Sequence, residues 1–303
     1  MEYVLQAKEV SKNFSGKLAV DHLSIGVKKG DIYGFIGENG AGKTTFMRMV
    51  CGLATPTDGE ITLFGSKDLT SQRHKLGCTI ENPALFPEMT AKENMETQGL
   101  LLGVTDKNVC AEILELSGIG NTGKMKAKNF SLGMKQRLMI ALSLLGDPEF
   151  LVLDEPTNGL DPMGIKEVRD FLQRLNEARG LTIFISSHIL GELEKLATRY
   201  GIISKGKMID EFRADELSAR CGKKLAIHTN DLIKTEKIVK GLFPEAQYTH
   251  ASESSIEITG HVEDAGKINK VLIESGITVN ALVPKGETLE DYLLNLLGGQ
   301  VNA

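Results

Sequence analysis

A glycine-rich segment near the start of the chain has the residue types and the spacing of a phosphate-binding loop. Residues 37–44 read G-E-N-G-A-G-K-T and fit the pattern G-x-x-x-x-G-K-[ST]. The apolar run 32–36 before it predicts a strand, and residues 43–50 predict a helix. In such a loop the backbone N–H groups turn towards phosphate oxygens, Lys43 reaches the β- and γ-phosphates, and the Thr44 hydroxyl binds Mg²⁺. A glycine-rich turn beside an unrelated lysine is the alternative, and the flanking strand and helix disfavour it.

Two adjacent carboxylates form a second candidate site. Asp154 and Glu155 follow the apolar run 150–153, which predicts a buried strand. Ligands of open α/β sheets bind at the carboxyl ends of the strands. Asp154 is expected to hold Mg²⁺, directly or through water. Glu155 points the other way by strand alternation and is expected to be the base or the anchor for an attacking water. Solvated acids after a strand are common, but the phosphate loop in the same chain favours the functional interpretation.

The composition is that of an ordinary globular protein. The 303 residues are 41% hydrophobic and 25% charged, a length that suits two domains. A net charge of -5, an aromatic content of 5% and the absence of Trp disfavour a nucleic-acid-binding protein. The sequence shows neither a signal-peptide pattern nor an apolar run of about eighteen residues. We therefore expect a protein that is soluble when isolated and reaches a membrane only through a partner.

The four cysteines have no spacing that points to chemistry. They are Cys51, Cys78, Cys110 and Cys221, and no two of them form a C-x-x-C pair. Zinc and thioredoxin-like sites need such pairs. We therefore expect four buried thiols.

Strand and helix patterns divide the chain into two parts. Short β-runs occupy residues 1–64, apart from the helix after the loop, residues 65–145 are mostly helical, and two buried strands then flank a helix at 162–179. This alternation predicts a doubly wound, largely parallel sheet. Residues 223–303 read βαββαβ with a further helix at 287–297, a ferredoxin-like order. We place a nucleotide-binding domain at 1–215, with a helical insert at about 82–145, and a small α+β accessory domain at 216–303.

A third motif identifies a family. Residues 129–137 read N-F-S-L-G-M-K-Q-R, and an S-x-G at the start of a helix is often only a cap. The sequence nevertheless resembles the ATP-binding-cassette (ABC) ATPases, whose signature is LSGGQ followed by a basic helix. It keeps Ser131 and Gly133 and departs from the signature at Leu132 and Met134. The order of phosphate loop, helical insert, signature and paired acids is that of the family, and the resemblance extends over residues 1–210.

The resemblance implies a fold and a set of functional residues. The fold is a P-loop ATPase with a mixed, mainly parallel sheet, an antiparallel β subdomain and a helical subdomain. Residues 158–162 match the family's D-loop, His188 matches its switch histidine near the γ-phosphate, and Phe14 stands where an aromatic ring stacks on adenine. Lys43, Glu155 and His188 are the implied catalytic residues. The implied nucleotide-binding residues are Phe14, Gly37, Glu38, Asn39, Gly40, Ala41, Gly42, Lys43, Thr44, Thr45, Ser131 and Gly133.

The family also implies partners and a location. Two cassettes would close head to tail, with ATP between Lys43 of one chain and Ser131 of the other. The ATPase would drive a separate transmembrane permease from the cytoplasmic face of the membrane, and no direct nucleic-acid contact is expected. Thr44, Asp154 and Glu81 are the implied Mg²⁺ ligands. Glu81 stands where most of the family has the Q-loop glutamine.

Three features resemble a subfamily of bacitracin-resistance and lantibiotic-immunity transporters. They are Glu81, the signature SLGMKQR and a C-terminal extension that contains T-L-E-D-Y-L. The resemblance implies an exporter of a peptide antibiotic or a similar amphiphile. Two alternatives stay open, a clamp ATPase acting on nucleic acid or the ribosome, and an importer ATPase with a regulatory C-terminal domain. One cassette per chain and the absence of a long heptad run disfavour the clamp.

Overall fold

The computed structural model describes most of the chain as two compact units. The described residues are 2–80, 85–104, 106–220, 222–252, 255–286 and 292. The first unit comprises residues 1–214 and the second residues 215–303. Among the described residues, none of the helices has both the length and the apolar character needed to cross a membrane.

The first unit contains nine strands and seven α-helices among its described residues. The strands are β1 (Tyr3–Phe14), β2 (Lys17–Lys28), β3 (Ile32–Ile36), β4 (Asp58–Leu63), β5 (Leu76–Thr79), β6 (Phe150–Leu153), β7 (Thr182–Ser187), β8 (Arg199–Ser204) and β9 (Lys207–Arg213). The helices are α1 (Lys43–Cys51), α2 (Leu69–Gln72), α3 (Ala91–Leu101), α4 (Lys107–Leu116), α5 (Leu132–Ser143), α6 (Pro162–Arg179) and α7 (Leu190–Leu193).

A six-stranded sheet forms the centre of the first unit. Its order is β5-β6-β7-β3-β8-β9, with parallel pairing everywhere except between β8 and β9. Strands β3, β6 and β7 are buried along their whole length, as their continuous apolar sequences require. A separate antiparallel sheet has the order β2-β1-β4, and helices α3 to α5 lie between β5 and β6 in sequence. The predicted P-loop ATPase architecture is confirmed.

The N-terminal β-runs are longer than the sequence predicts. The short runs expected between residues 5 and 27 are two strands of twelve residues, joined by a tight turn at Ser15 and Gly16. The Asn13 side chain accepts a hydrogen bond from the Gly16 N–H at 2.7 Å and stabilises this turn. Polar residues on the exposed face of the hairpin interrupt the apolar pattern without interrupting the strands.

Aromatic side chains fix the helix that follows the phosphate loop. Phe46 of α1 lies 5.7 Å from Phe35 of β3 and 6.0 Å from Phe184 of β7, measured between ring centroids. All three rings are fully buried. Because aromatic pairs at these distances contribute about 0.5–1.5 kcal/mol beyond the area they bury, they hold α1 firmly on the sheet.

The second unit has the ferredoxin-like order that the sequence predicts. Its elements are α8 (Leu217–Arg220), β10 (Lys224–Thr229), α9 (Leu232–Leu242), β11 (Tyr248–Ser252), β12 (Ser255–Thr259), α10 (Ala265–Glu274) and β13 (Val279–Lys285). The sheet is antiparallel with the order β11-β12-β10-β13. Leu225 and Ile227 of the sheet pack against Val239 of α9 and Leu272 of α10. The predicted helix at 287–297 lies outside the described residues, apart from Tyr292.

The expectation of four buried thiols is wrong for Cys78. Cys110 is buried and Cys51 is half-buried, but Cys78 is exposed because β5 is an edge strand of the six-stranded sheet. Cys221 lies outside the described residues.

Candidate nucleotide-binding site

The phosphate loop joins β3 to α1 through a left-handed glycine. Gly42 has φ +108° and directly precedes α1. A Cβ atom on Gly42 would lie 2.4 Å from the backbone oxygen of Ala19 in β2. Position 42 therefore requires glycine for two reasons: the left-handed backbone, and the close approach of β2, which leaves no room for a Cβ atom. The first three N–H groups of α1 have no partner within the helix and are therefore available to an anion, as at the start of an anion-binding helix.

Lys43 is buried at the centre of the loop. Its side chain is 5% exposed, and its Nζ donates hydrogen bonds to the backbone oxygens of Gly37 (2.6 Å) and Glu38 (3.2 Å). Nζ also lies 3.1 Å from Oε1 of Glu155, an ion pair without hydrogen-bond geometry. The lysine thus connects the loop to the second of the paired carboxylates.

Asp154 is held by two hydroxyl groups. Its Oδ2 accepts a hydrogen bond from Thr44 Oγ1 at 2.7 Å, and its Oδ1 accepts one from Ser186 Oγ at 2.6 Å. Ser186 Oγ in turn accepts a hydrogen bond from the Glu155 N–H at 2.9 Å. Thr44 and Asp154, the two predicted Mg²⁺ ligands in the described residues, therefore meet at one point.

Glu155 does not follow the strand alternation that the sequence predicts. Its backbone is left-handed, with φ +49°, just after the end of β6. The side chain therefore turns towards the loop, where its Oε1 faces Lys43 and its Oε2 lies 2.6 Å from Nδ1 of His188. Positive φ values in residues other than glycine are strained, and they concentrate at functional sites.

A cavity of about 520 Å³ opens beside the loop. Its lining residues are Phe14, Lys17, Leu18, Ala19, Asn39, Gly40, Gly42, Lys43, Thr44, Thr45, Glu155, Lys205 and Gly206. The Phe14 ring is 51% exposed and has Lys12 Nζ 5.0 Å from its centroid. The predicted adenine-stacking residue thus shares one cavity with six of the nine predicted loop residues, whereas Gly37, Glu38 and Ala41 do not line it.

Sequence reasoning missed several residues of this site. Lys17, Lys205 and Gly206 line the cavity, and the Gly206 N–H donates a hydrogen bond to the Ala41 oxygen of the loop at 2.9 Å. Lys17 is the first residue of β2, and Lys205 and Gly206 form the turn between β8 and β9; neither segment carries a recognisable motif. Ser186 had one signal, a polar residue near the end of an apolar strand parallel to β6.

The Glu192 carboxylate connects the end of β7 to the segment just before the D-loop. Glu192 of α7 accepts a short hydrogen bond from Thr157 Oγ1, and its Oε2 lies 3.3 Å from Ser187 Oγ. Thr157 follows the paired carboxylates, and Ser187 precedes His188. Glu192 therefore links the two segments that surround Glu155.

The signature residues lie at a helix start that does not line the cavity. Ser131 caps α5 by accepting a hydrogen bond from the Met134 N–H at 3.2 Å. Gly133 is buried, and a Cβ atom there would lie 3.6 Å from Gly164 Cα of α6. Helix α6 starts at the cap Asp161, which accepts a hydrogen bond from the Gly164 N–H at 2.9 Å. The described residues thus place the signature next to the D-loop, while Glu81 lies outside them.

Comparisons with known proteins give the family. The family model described as ABC transporter matches residues 20–158. The bacitracin transport ATP-binding protein BcrA of Bacillus licheniformis is 41% identical over 302 residues, 99% of this chain and 99% of that protein. The lantibiotic transport ATP-binding protein SrtF of Streptococcus pyogenes is 41% identical over 212 residues, 70% of this chain and 92% of that protein.

A solved structure shows the same fold. A dimeric ATP-binding cassette in a post-hydrolysis state with ADP and Pi is 24% identical, with a TM-score of 0.62 over 69% of this chain and 98% of that chain. Together with the full-length match to BcrA, these similarities decide the family. The chain belongs to the ABC transporters, as one of their ATP-binding, ATP-hydrolysing subunits.

Proposed function

We propose that this subunit powers the export of a peptide antibiotic or a similar amphiphile through a separate permease. The observation that supports ATP hydrolysis by this subunit is the position of Glu155, whose carboxylate lies between Lys43 of the phosphate loop and His188. The three groups come from different segments and converge beside a cavity that also contains Phe14. The full-length similarity to a bacitracin transport protein supports the nature of the cargo.

Thr44 at the start of α1 and Asp154 at the carboxyl end of β6 fit a magnesium ion. Thr44 and Asp154 supply a hydroxyl and a carboxylate oxygen 2.7 Å apart, and Mg²⁺ prefers such hard oxygen donors together with phosphate and water. When bound, the ion would neutralise the charge that develops on the β- and γ-phosphates. We include Glu81 in this proposal because a carboxylate at the Q-loop position would also suit the ion.

In the proposed hydrolysis, each side chain of the site has a separate role. Lys43 binds the β- and γ-phosphates. Glu155 orients a water molecule in line with the γ-phosphate and accepts its proton. His188 holds the Glu155 carboxylate through Nδ1 and stabilises charge on the γ-phosphate in the transition state. Phe14 stacks on the adenine ring, for which its 51% exposure leaves room.

The active unit in this proposal is a pair of cassettes. Ser131 and Gly133 do not line the cavity around Lys43, so we propose that they contact the nucleotide bound by a second cassette. Mixing a Lys43→Ala chain with a Ser131→Arg chain tests this. Each mixed pair then has at most one intact site, and some ATPase activity should return relative to either variant alone. A mixture as inactive as both parents would contradict shared sites.

The permease proposal requires a transport experiment. We propose that the subunit lies peripherally on the cytoplasmic face of a membrane, bound to a separate membrane-spanning chain that copurifies with it. Cells that contain both chains should tolerate more bacitracin than cells with the Glu155→Gln subunit, which keeps the ATP-binding residues. Sensitivity to an antibiotic of unrelated chemistry is the control. Equal bacitracin sensitivity, with both chains in the membrane, would contradict the proposed cargo.

A further inference from the structure

Two lysines that line the nucleotide cavity have no role in the proposed hydrolysis. They are Lys17, the first residue of β2, and Lys205, in the turn between β8 and β9. Both side chains are exposed. Among the described residues, no carboxylate lies within ion-pair distance of either lysine, whereas Lys207 in the same hairpin pairs with Asp21 at 3.1 Å. The cavity therefore carries two positive charges without a carboxylate partner in the described part of the chain.

Lys17 borders the region between the adenine end and the phosphate end of the cavity. It is paired with Phe14 across the turn of the β1–β2 hairpin. Two residues further along β2, the Ala19 oxygen lies 2.4 Å from the place that a Cβ atom of Gly42 would occupy. Two residues of a strand span about 7 Å, and their side chains share one face. Lys17 therefore stands between the proposed stacking ring and the phosphate loop.

The turn that carries Lys205 is fixed on the same part of the loop. The Gly206 N–H donates a hydrogen bond to the Ala41 oxygen at 2.9 Å. A Cβ atom on Gly206 would lie 3.1 Å from the Ala19 oxygen. Lys205 and Lys17 therefore flank the point at which the β8–β9 turn and β2 both contact the loop.

Lys205 occupies a turn position that favours a different residue. The two central residues of the turn are Lys205, with φ +48°, and Gly206, with φ +83°, between the paired residues Ser204 and Lys207. Hairpin turns with two positive φ values favour Asn-Gly, and a left-handed backbone is unfavourable for a lysine. Residues strained in this way concentrate at functional sites. This supports a role for the ammonium group rather than for the turn.

We propose that Lys17 and Lys205 bind the α-phosphate of the nucleotide. The inference rests on the proposed position of ATP in this cavity, with the adenine at Phe14 and the β- and γ-phosphates at Lys43. The α-phosphate lies between these two ends, in the region that the two lysines flank. An ammonium group has three donors and binds a phosphate oxygen as a point charge. Because ATP, ADP and AMP all have an α-phosphate, the pair contributes equally to the binding of each.

The direct test is the dissociation constant of each nucleotide for the full chain, measured by titration calorimetry with Mg²⁺. Lys17→Ala and Lys205→Ala should each weaken ADP and a non-hydrolysable ATP analogue by the same factor, about three- to tenfold. AMP, measured by competition, should weaken by that factor as well. Unchanged constants in both variants would overturn the proposal. A loss that spares AMP would also overturn it, because the lysines would then contact the β- or γ-phosphate.

Lys207→Ala is the matched control. Lys207 belongs to the same hairpin, pairs with Asp21 and does not line the cavity. The Lys207→Ala chain should bind all three nucleotides as wild type does, and Lys205→Arg, which keeps the charge, should do so too. An equal loss in Lys207→Ala and Lys205→Ala would overturn the proposal, because the general charge of the hairpin would then be responsible.

Lys205→Asn separates binding from folding. Asparagine is favoured at this position of the turn, so the variant should unfold at the same or a higher urea concentration than wild type. Its affinity for the three nucleotides should nevertheless fall as in Lys205→Ala. Wild-type affinity in the Lys205→Asn chain would overturn the role of Lys205.

Lys43→Ala distinguishes failure of this inference from failure of the proposed site. Loss of binding in Lys43→Ala, with unchanged binding in Lys17→Ala and Lys205→Ala, would reject the lysine pair and leave the site in place. Unchanged binding in all three chains would reject the cavity as the nucleotide site and the lysine pair with it. The measurement needs neither hydrolysis nor a permease, so its result stands whatever the cargo is.

Discussion

Oε2 of Glu155 lies 2.6 Å from Nδ1 of His188, and the other oxygen of the same carboxylate lies 3.1 Å from Nζ of Lys43. The carboxylate is thus contacted on both sides by residues more than thirty positions away in the sequence. Its own backbone N–H is held by Ser186. This arrangement fixes the direction of a group that, as a base, must point at one water molecule.

Ser186 should control how well the site uses magnesium. Its hydroxyl connects Asp154 Oδ1 to the Glu155 N–H. A hydrogen bond to a charged group contributes about 1.5–3 kcal/mol, so Ser186→Ala should raise the Mg²⁺ concentration for half-maximal ATPase activity by roughly tenfold or more. Ser143→Ala is a matched control, because that hydroxyl bonds to Ile140 within α5. Superimposable Mg²⁺ titrations for Ser186→Ala and wild type would refute the role.

Glu192 should act on turnover rather than on ATP binding. It accepts a hydrogen bond from Thr157 and does not line the nucleotide cavity. Glu192→Ala removes the link between the segments on either side of Glu155, and we expect kcat to fall about tenfold with KM nearly unchanged. Glu177→Ala, on the exposed surface of α6, is the control. A rise in KM without a change in kcat would assign Glu192 to binding instead.

Alanine substitutions at two glycines of the phosphate loop should distinguish the cost of backbone strain from the cost of a steric clash. Gly40 and Gly42 both have positive φ, but a Cβ atom meets nothing within 4 Å at Gly40 and lies 2.4 Å from the Ala19 oxygen at Gly42. Gly40→Ala should cost about 1–2 kcal/mol of unfolding free energy, and Gly42→Ala should cost clearly more. Urea unfolding followed by circular dichroism measures both. Equal losses would contradict the close approach of β2 to the loop.

The sequence predicted the chemistry of the site better than its geometry. The loop at 37–44 and the paired acids follow from local patterns, because each motif depends on residues that are neighbours in sequence, whereas His188 was implied only by the resemblance to the ABC ATPases. The direction of Glu155 could not be predicted, since strand alternation fails where the backbone becomes left-handed. Lys205 and Gly206 could not be assigned either, because only the folding of the β8–β9 turn against the loop brings them to the site.

For the fold as well, features set by local sequence were predicted well, and features set by strand pairing were not. Buried apolar runs such as β6 and β7 were predicted to within a residue or so. The N-terminal hairpin was divided into short runs because its exposed face is polar along twelve-residue strands. Cys78 was expected to be buried, and only the strand order shows that β5 is at an edge.

The second unit should not be needed for nucleotide binding. The sequence places a separate accessory domain at 216–303, and this division stays a prediction until the parts are prepared separately. A chain that ends at Arg213 keeps β1 to β9 and every described residue of the cavity. It should bind ATP with an affinity within a few-fold of the full chain. A truncated chain that is folded by circular dichroism yet binds no ATP would contradict the prediction.

The most direct test of the account is the ATPase rate of Glu155→Gln. The amide keeps the size of the side chain and removes the base, so turnover should slow by about 10²–10⁴-fold while ATP affinity is retained. Slow hydrolysis should also trap two cassettes around ATP, which size-exclusion chromatography with and without Mg·ATP detects. Glu149→Gln is the control, because Glu149 is an exposed residue just before β6. A Glu155→Gln chain that hydrolyses ATP at a near-normal rate would contradict the central claim.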